Sequence, residues 1–140
     1  MADEHPPEIS DEVLEFAARM FDLARGGETA QLTEYVDAGL PVNLANAKGD
    51  TLLMLATYHD HPETMLGLLE RGADPDRVNE RGQTPLTAAV FRHSADGVEL
   101  LLKAGANPAL GSPNALETAR FFGYPEMLEL LEGSGGRPPA

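Results

Sequence analysis

The sequence GDTLLMLATYHDHPETMLGLLERGADP at residues 49–75 recurs, with substitutions, as GQTPLTAAVFRHSADGVELLLKAGANP at residues 82–108. A period of 33 residues relates the two segments and also separates Gly39, Gly72 and Gly105. A fixed period of this length predicts stacked supersecondary units, each of which buries its apolar side only against its neighbours. Because such arrays form long surfaces more readily than enclosed catalytic pockets, the period bears on function as well as on fold.

Each period carries the signals of two short helices joined by a loop. Thr51 and Thr84 stand directly before apolar runs and predict helix N-caps. Pro85 follows at the first helical position, where its missing N–H costs nothing. The predicted helices span about residues 51–60, 62–71, 84–93 and 95–104. A proline-bearing extended stretch and a glycine turn then lead to the next unit.

The flanking segments extend the array by one helix pair on each side. Ser10 is a predicted N-cap, and the helix after it has one apolar stripe formed by Val13, Phe16, Ala17, Met20, Leu23 and Ala24. Its partner helix is expected near residues 28–38. A last pair is expected at 115–122 and 125–132, after a connection three residues shorter than the others. We expect residues 1–9 to form a flexible arm and residues 133–140 a disordered tail.

This organisation resembles the ankyrin repeat family over about residues 12–132. The matching positions in the best unit are Gly82, Thr84-Pro85-Leu86, Ala88-Ala89, Leu101-Leu102 and Gly105-Ala106. The departures are Leu52 in place of the motif proline, and Met54, Thr87 and Glu117 in place of the motif histidine. The resemblance implies an all-α solenoid with short β-turn fingers and a repeat domain at 10–132. Its four repeats would lie approximately at 13–45, 46–78, 79–108 and 109–132.

Composition excludes several classes of function. The net charge of −13, of which −8 falls in residues 1–40, disfavours binding to nucleic acid or anionic membranes. There is no cysteine and no long apolar run, so we expect no disulfide, no thiolate chemistry and no membrane span. We expect an acidic, cytoplasmic and monomeric protein. The charge favours solubility over recognition by an acidic face.

Catalytic and cofactor-binding motifs are missing from the sequence. It contains no nucleophile elbow, no phosphate-binding loop and no zinc-protease helix, so we expect neither an enzyme nor a cofactor. The cluster of His59, Asp60 and His61 lacks the third converging ligand that zinc sites use. Under the resemblance, His61 stands where the repeat uses a histidine to brace the turn between its helices. A metal or small-molecule site around His59 and His93 remains the least favoured alternative.

The surface is where the sequence indicates function. The resemblance implies that partners bind the concave side, made of the fingers and two exposed positions late in each first helix. The spacing of this chain puts aromatic residues there, with Tyr58, Phe91 and Phe121 as expected anchors. Neighbouring polar positions complete the predicted partner-binding set, namely Lys48, Asp50, His59, Arg81, Gln83 and Arg92. Lys48, Arg81 and Arg92 would steer a partner with an acidic edge and an apolar anchor.

We therefore expect a non-catalytic protein–protein interaction module, an adaptor or regulator. The alternative is a structural scaffold that associates with itself. One of Phe121 and Phe122 is expected to cover the open end of the array, and the sequence leaves undecided which of them does so.

Overall fold

The computed structural model describes residues 10–135 and contains eight α-helices in that range. They are α1 (Asp11–Arg25), α2 (Thr29–Asp37), α3 (Leu52–Tyr58), α4 (Pro62–Glu70), α5 (Pro85–Phe91), α6 (Ala95–Lys103), α7 (Ala115–Phe122) and α8 (Pro125–Gly135). Each odd-numbered helix packs on the helix that follows it and on the next odd-numbered helix. The even-numbered helices form a second layer in the same way. The predicted all-α solenoid is therefore confirmed.

Each first helix of a repeat begins with a side-chain cap. The side chains of Ser10, Thr51, Thr84 and Asn114 accept a hydrogen bond from the backbone N–H three residues ahead. Thr87 and Glu117, which replace the motif histidine, also take part in helix capping. Their side chains accept the backbone N–H of Thr84 and Asn114, each at 2.9 Å, and complete two capping boxes. The N-caps predicted at Ser10, Thr51 and Thr84 are therefore confirmed.

One residue per repeat adopts the left-handed conformation in the loop between the two helices. These residues are Gly27, Asp60, His93 and Gly123, with φ between 56° and 69°. Their conformation reverses the chain so that the next N–H bonds back to the first helix, as His61 N does to Ala56 O at 2.9 Å. In Asp60 and His93 the left-handed conformation brings Cβ close to the backbone, a steric cost of roughly 1–2 kcal/mol per residue that glycine does not have.

The core consists of leucines, methionines and alanines that face the adjoining repeats. The predicted stripe on α1 is correct from Phe16 onward but wrong at Val13, which is 56% exposed. The reason is length, because α1 has 15 residues and α3, the helix it packs against, has seven. The first turns of α1 therefore extend past their neighbour. Phe21, outside the predicted stripe, is buried instead.

The projecting turns between repeats, at residues 46–50 and 79–83, are the fingers of the array. Hydrogen bonds cross from one finger to the next. Asn79 Oδ1 accepts the N–H groups of Arg81 and Gln83, each at 2.9 Å, and shapes its own turn. Asn79 Nδ2 donates to Asp50 Oδ1 in the preceding finger at 2.8 Å. The N–H of Glu80 donates to the carbonyl oxygen of Lys48 at 3.0 Å. These bonds fix the spacing of the finger tips.

The C-terminal end of the array also differs from the sequence prediction. Helix α8 continues to Gly135, three residues past the predicted boundary at 132. Glycine lowers helix propensity by only about 1 kcal/mol per residue, and the first proline of this segment is Pro138. The predicted flexible arm at residues 1–9 and the rest of the predicted disordered tail, 136–140, lie outside the described residues.

We predict that Asn79→Ala lowers the free energy of unfolding by about 1–3 kcal/mol, because it leaves two N–H groups and the buried Asp50 carboxylate without their partner. Urea denaturation measures this loss. Asn46→Ala is the matched control, because Asn46 shapes the equivalent turn of the preceding finger by accepting from Lys48 N and Asp50 N at 3.0 Å. An equal loss in both variants would show that the bond between fingers adds nothing.

Candidate functional site

The first helices and the fingers enclose two adjoining grooves on the concave face. The first, which we call the basic groove, has a volume of about 340 Å³ and is lined by Arg25, Asn46, Ala47, Lys48, Asp50, Met54, Leu55, Tyr58, His59, Arg81 and Gln83. The second, the aromatic groove, has a volume of about 180 Å³ and is lined by Tyr58, Arg81, Gln83, Thr87, Ala88, Phe91, Pro113, Thr118 and Phe122. Tyr58, Arg81 and Gln83 line both and separate them.

A connected group of aromatic rings crosses this face. The rings of Tyr58 and Phe91 stack with centroids 6.1 Å apart, and Phe91 meets Phe122 edge to face at 5.6 Å. Phe122 in turn stacks on Tyr124 at 5.7 Å. Tyr58, Phe91 and Phe122 are 41%, 47% and 41% exposed, so the rings support one another without entering the core. We call Tyr58, Phe91 and Phe122 the aromatic ladder.

The structure brings Phe122, and not the predicted Phe121, next to Phe91. Phe121 is 83% exposed and lines neither groove. Its ring meets that of Phe122 edge to face, with the centroids 5.0 Å apart. Successive residues of an α-helix differ in direction by about 100°, so the two rings cannot face the same neighbour. Helix α7 also has one residue more than α5, and Phe122 is its last residue. The sequence alignment of the repeats therefore selects the ring of the pair that does not meet Phe91.

The cations of the concave face are mostly free of carboxylates. Arg25 pairs with Asp22 at 3.0 Å. Among residues 10–135, Lys48, Arg81 and Arg92 have no carboxylate within 4.0 Å. On the outer layer, by contrast, Arg71 is held by both oxygens of Asp37 at 2.8 and 3.2 Å. The concave side is thus a region of unneutralised positive charge on a protein with a net charge of −13.

The imidazole of His59 lies in this positive region. Partial burial, followed by the charges of Arg25, His61 and Arg92, lowers the pKa of His59 below its ordinary value. His59 is therefore largely neutral at pH 7. Arg92 lines neither groove, and it belongs to the face through its position beside His59.

Asp50 differs from the other predicted contact residues. Its side chain lines the basic groove but is buried, and its carboxylate accepts the hydrogen bond from Asn79 described above. The side chain of Gln83 also takes part in this network, since its Oε1 accepts a hydrogen bond from Asn79 Nδ2 at 2.9 Å. We therefore assign Asp50 to the spacing of the fingers and leave it out of the contact set.

Comparison with known families agrees with this geometry. A family model of ankyrin repeats, in three copies, matches residues 17–112. The chain belongs to the ankyrin repeat family. Repeats of this family are in general non-catalytic modules for protein interaction.

Similar proteins come from distant organisms. A putative ankyrin repeat protein of Pseudomonas aeruginosa is 49% identical over 65 residues, which are 46% of this chain and 38% of that protein. Cyclin-dependent kinase 4 inhibitor B of Bos taurus is 35% identical over 98 residues, 67% of this chain and 74% of the inhibitor. The B-cell lymphoma 3 protein homolog of Mus musculus is 34% identical over 110 residues, which are 76% of this chain and 25% of that protein. The chain thus spans well under half of the Pseudomonas and mouse proteins.

The histidines outside the grooves join adjacent repeats. His61 Nε2 donates to the carbonyl oxygen of Arg25 at 2.7 Å, so it braces the end of α1 in the preceding repeat and not the turn of its own repeat that was expected. The ring leaves no room for a side chain at Gly27, where a Cβ would lie 2.6 Å from His61 Nδ1. His93 stacks on Tyr124 at 4.1 Å and hydrogen-bonds Glu126, which lowers the pKa of that carboxyl.

The described part of the chain contains neither a cluster of metal ligands nor a membrane-spanning helix. Within residues 10–135, no three His, Asp or Glu side chains are arranged to hold a metal ion. In the same range every helix is too short or too polar to span a bilayer.

We predict that Arg25→Gln raises the pKa of His59, because the substitution removes the arginine charge that disfavours the imidazolium. A pH titration of the His59 ring by NMR measures the shift. Lys103→Gln is the control, since Lys103 lies on α6 in the outer layer and should leave the His59 titration unchanged. A lowered or unaltered pKa in Arg25→Gln would contradict the proposed electrostatics of the groove.

Proposed function

We propose that this protein is a non-catalytic recognition module that binds a partner protein through its concave face. The observation that carries the proposal is the aromatic ladder, three mutually supporting rings that stay about half exposed beside two grooves. Exposed apolar patches with polar rims are typical of interaction sites, and aromatic residues and arginine dominate the binding energy of interfaces. The family membership supports the same class of function.

The rings are held in place before any partner arrives. Tyr58 and Phe91 each end a helix in which every preceding residue is buried, Leu52–Thr57 in α3 and Pro85–Val90 in α5. A side chain mounted on such a helix and stacked on its neighbour loses little freedom when it becomes an interface residue. Preorganisation of this kind lowers the entropic cost of association. The ladder is therefore suited to act as the anchor of the interface.

The surrounding cations would guide the partner to the ladder. Lys48 and Arg81 lie at the finger tips and Arg92 follows Phe91, so the positive charges flank the rings. Charges of this kind raise association rates and fix orientation more than they add affinity.

We also propose a location and an oligomeric state. The lack of cysteine is compatible with a reducing compartment, and we propose the cytoplasm. We further propose that the free protein is a monomer.

We predict that Tyr58→Ala combined with Phe91→Ala abolishes partner capture with little loss of fold. The test is a quantitative pull-down from lysate of the source organism with the full chain as bait. Tyr35→Ala combined with Leu66→Ala is the matched control, because both residues lie exposed on the outer layer and Tyr35 also packs on a ring, that of Phe16.

The control should retain every protein that wild type captures. Circular dichroism and thermal melts should show the same helix content for both pairs and similar melting temperatures. Retention of all partners by the Tyr58/Phe91 variant would contradict binding at the ladder. Selective unfolding of that variant would mean that the rings serve the core.

We also predict unequal effects for the two neighbouring phenylalanines. Phe122→Ala should weaken capture of the same partner, because it removes the ring that extends the ladder and lines the aromatic groove. Phe121→Ala removes the more exposed ring and should change capture little. The reverse order in the same pull-down would restore Phe121 as the anchor.

The second candidate function is self-association of the array. It is favoured by exposed apolar side chains on the first and last repeats, namely Val13 and Leu14 on α1 and Phe121 on α7. Light scattering over a range of protein concentrations distinguishes the two functions. A mass that rises with concentration and falls back in a Val13→Ser, Leu14→Ser variant would favour the scaffold.

A further inference from the structure

The two grooves of the concave face differ in chemistry, and the difference restricts what can occupy them together. The basic groove has three cationic side chains, Arg25, Lys48 and Arg81, of which Arg25 is already paired with Asp22. Its single carboxylate, Asp50, is buried and already accepts a hydrogen bond from Asn79. A group that fills this groove would be stabilised by a negative charge of its own.

The aromatic groove has the opposite character. Apart from Arg81 at the shared border, it is lined by rings, small apolar side chains and uncharged polar side chains such as Thr87 and Thr118. Phe91 and Phe122 form one wall, and Ala88 lies beside them. A large apolar side chain is the occupant that such a groove desolvates most favourably.

The separation of the grooves follows from the packing of the helices. The basic groove takes side chains from the end of α1, from α3 and from the fingers at residues 46–50 and 81–83. The aromatic groove takes them from α3, α5 and α7, with Arg81, Gln83 and Pro113 from the connections between helices. Packed helices lie about 8–10 Å apart, so the two grooves are offset by roughly one such step. An extended polypeptide advances about 3.3 Å per residue and covers that step in about three residues.

We propose that the concave face binds an extended segment of a partner protein in which an Asp or Glu lies about three residues from a Phe, Tyr, Trp or Leu. The carboxylate enters the basic groove and contacts Arg81 and Lys48. The large apolar side chain enters the aromatic groove against Phe91 and Phe122. This inference rests on the proposed function and specifies the chemistry of its partner.

The rest of the molecule argues against a polyanion as the occupant. The net charge of −13 means that a nucleic acid extending beyond the basic groove would be repelled by the remaining surface. A single carboxylate beside an apolar residue is attracted locally by Lys48 and Arg81 and leaves most of the acidic surface uncovered. Charge complementarity therefore selects a polypeptide with an isolated acidic residue.

Selection of a random-peptide display library on the full chain tests the inference without knowledge of the natural partner. The enriched peptides should share an acidic residue about three positions from a large apolar one. A synthetic peptide from this set should bind roughly tenfold more weakly when its acidic residue is replaced by the corresponding amide. Enriched peptides without a carboxylate, or equal binding of the amide version, would overturn the inference.

Variants of the protein then locate the carboxylate. Arg81→Glu should weaken the same peptide by tenfold or more, and a peptide with Lys at the acidic position should bind Arg81→Glu better than wild type. Lys103→Glu changes the net charge equally on the outer layer and should leave the affinity unaltered. An affinity that responds equally to Arg81→Glu and Lys103→Glu would overturn the inference, because only overall charge would matter. Displacement of the peptide by a single-stranded oligonucleotide at lower concentration would do the same.

The failure of this inference is distinguishable from failure of the proposed function. Peptides that lose binding to Tyr58→Ala, Phe91→Ala but are insensitive to Arg81→Glu overturn only the inferred partner chemistry. A library that yields no binder sensitive to Tyr58→Ala, Phe91→Ala overturns the inferred extended segment. The proposed function is overturned only when this double variant also keeps every partner in the pull-down.

Discussion

No helical hairpin of this protein can bury its own apolar side, and every repeat therefore depends on contact with its neighbours. Leu53 and Leu86 occupy equivalent positions on α3 and α5 and are almost fully buried where those helices pack together. Leu68 and Leu101 do the same in the outer layer. The polar parts of the chain add to this contact, since Asn79 bonds both within its own turn and to Asp50 of the preceding finger.

The stacking of repeats explains both the regularity of the fingers and the use of buried polar groups. The N–H of Asp74 donates to Asn43 Oδ1, and one period later the N–H of Asn107 donates to Asp76 Oδ1, each at 2.8 Å. Asn79 and Asp50 form a third link between fingers. Because every buried polar side chain among the described residues has a partner, hydrogen bonds offset the desolvation cost of burying polar groups in these loops.

The same stacking leaves one flank of the molecule uncovered, and its composition differs from that of the opposite flank. The outer layer pairs its arginine with an acid, as Arg71 does with Asp37, and is otherwise rich in carboxylates. The concave flank keeps Lys48 and Arg81 free beside half-exposed rings. The carboxylates of the second helices thus lie on one side of the array, whereas the free cations and half-exposed rings are gathered on the other. The repeat fold permits this division because its two layers face opposite directions.

Much of the fold could be predicted from the sequence because it depends on local interactions that recur with the period. A threonine cap acts on an N–H three residues away, so Thr51 and Thr84 could be identified without any neighbour. The positions of Tyr58, Phe91 and Arg81 on the concave side followed from the family resemblance, applied through the spacing of the repeats. Only the tertiary structure decided which side chains face each other across repeats: the exposure of Val13, the burial of Asp50 against Asn79, the pairing of His93 with Glu126, and the choice of Phe122 over Phe121. Each of these depends on the relative length and rotation of two packed helices or fingers, a quantity that a repeating sequence does not contain.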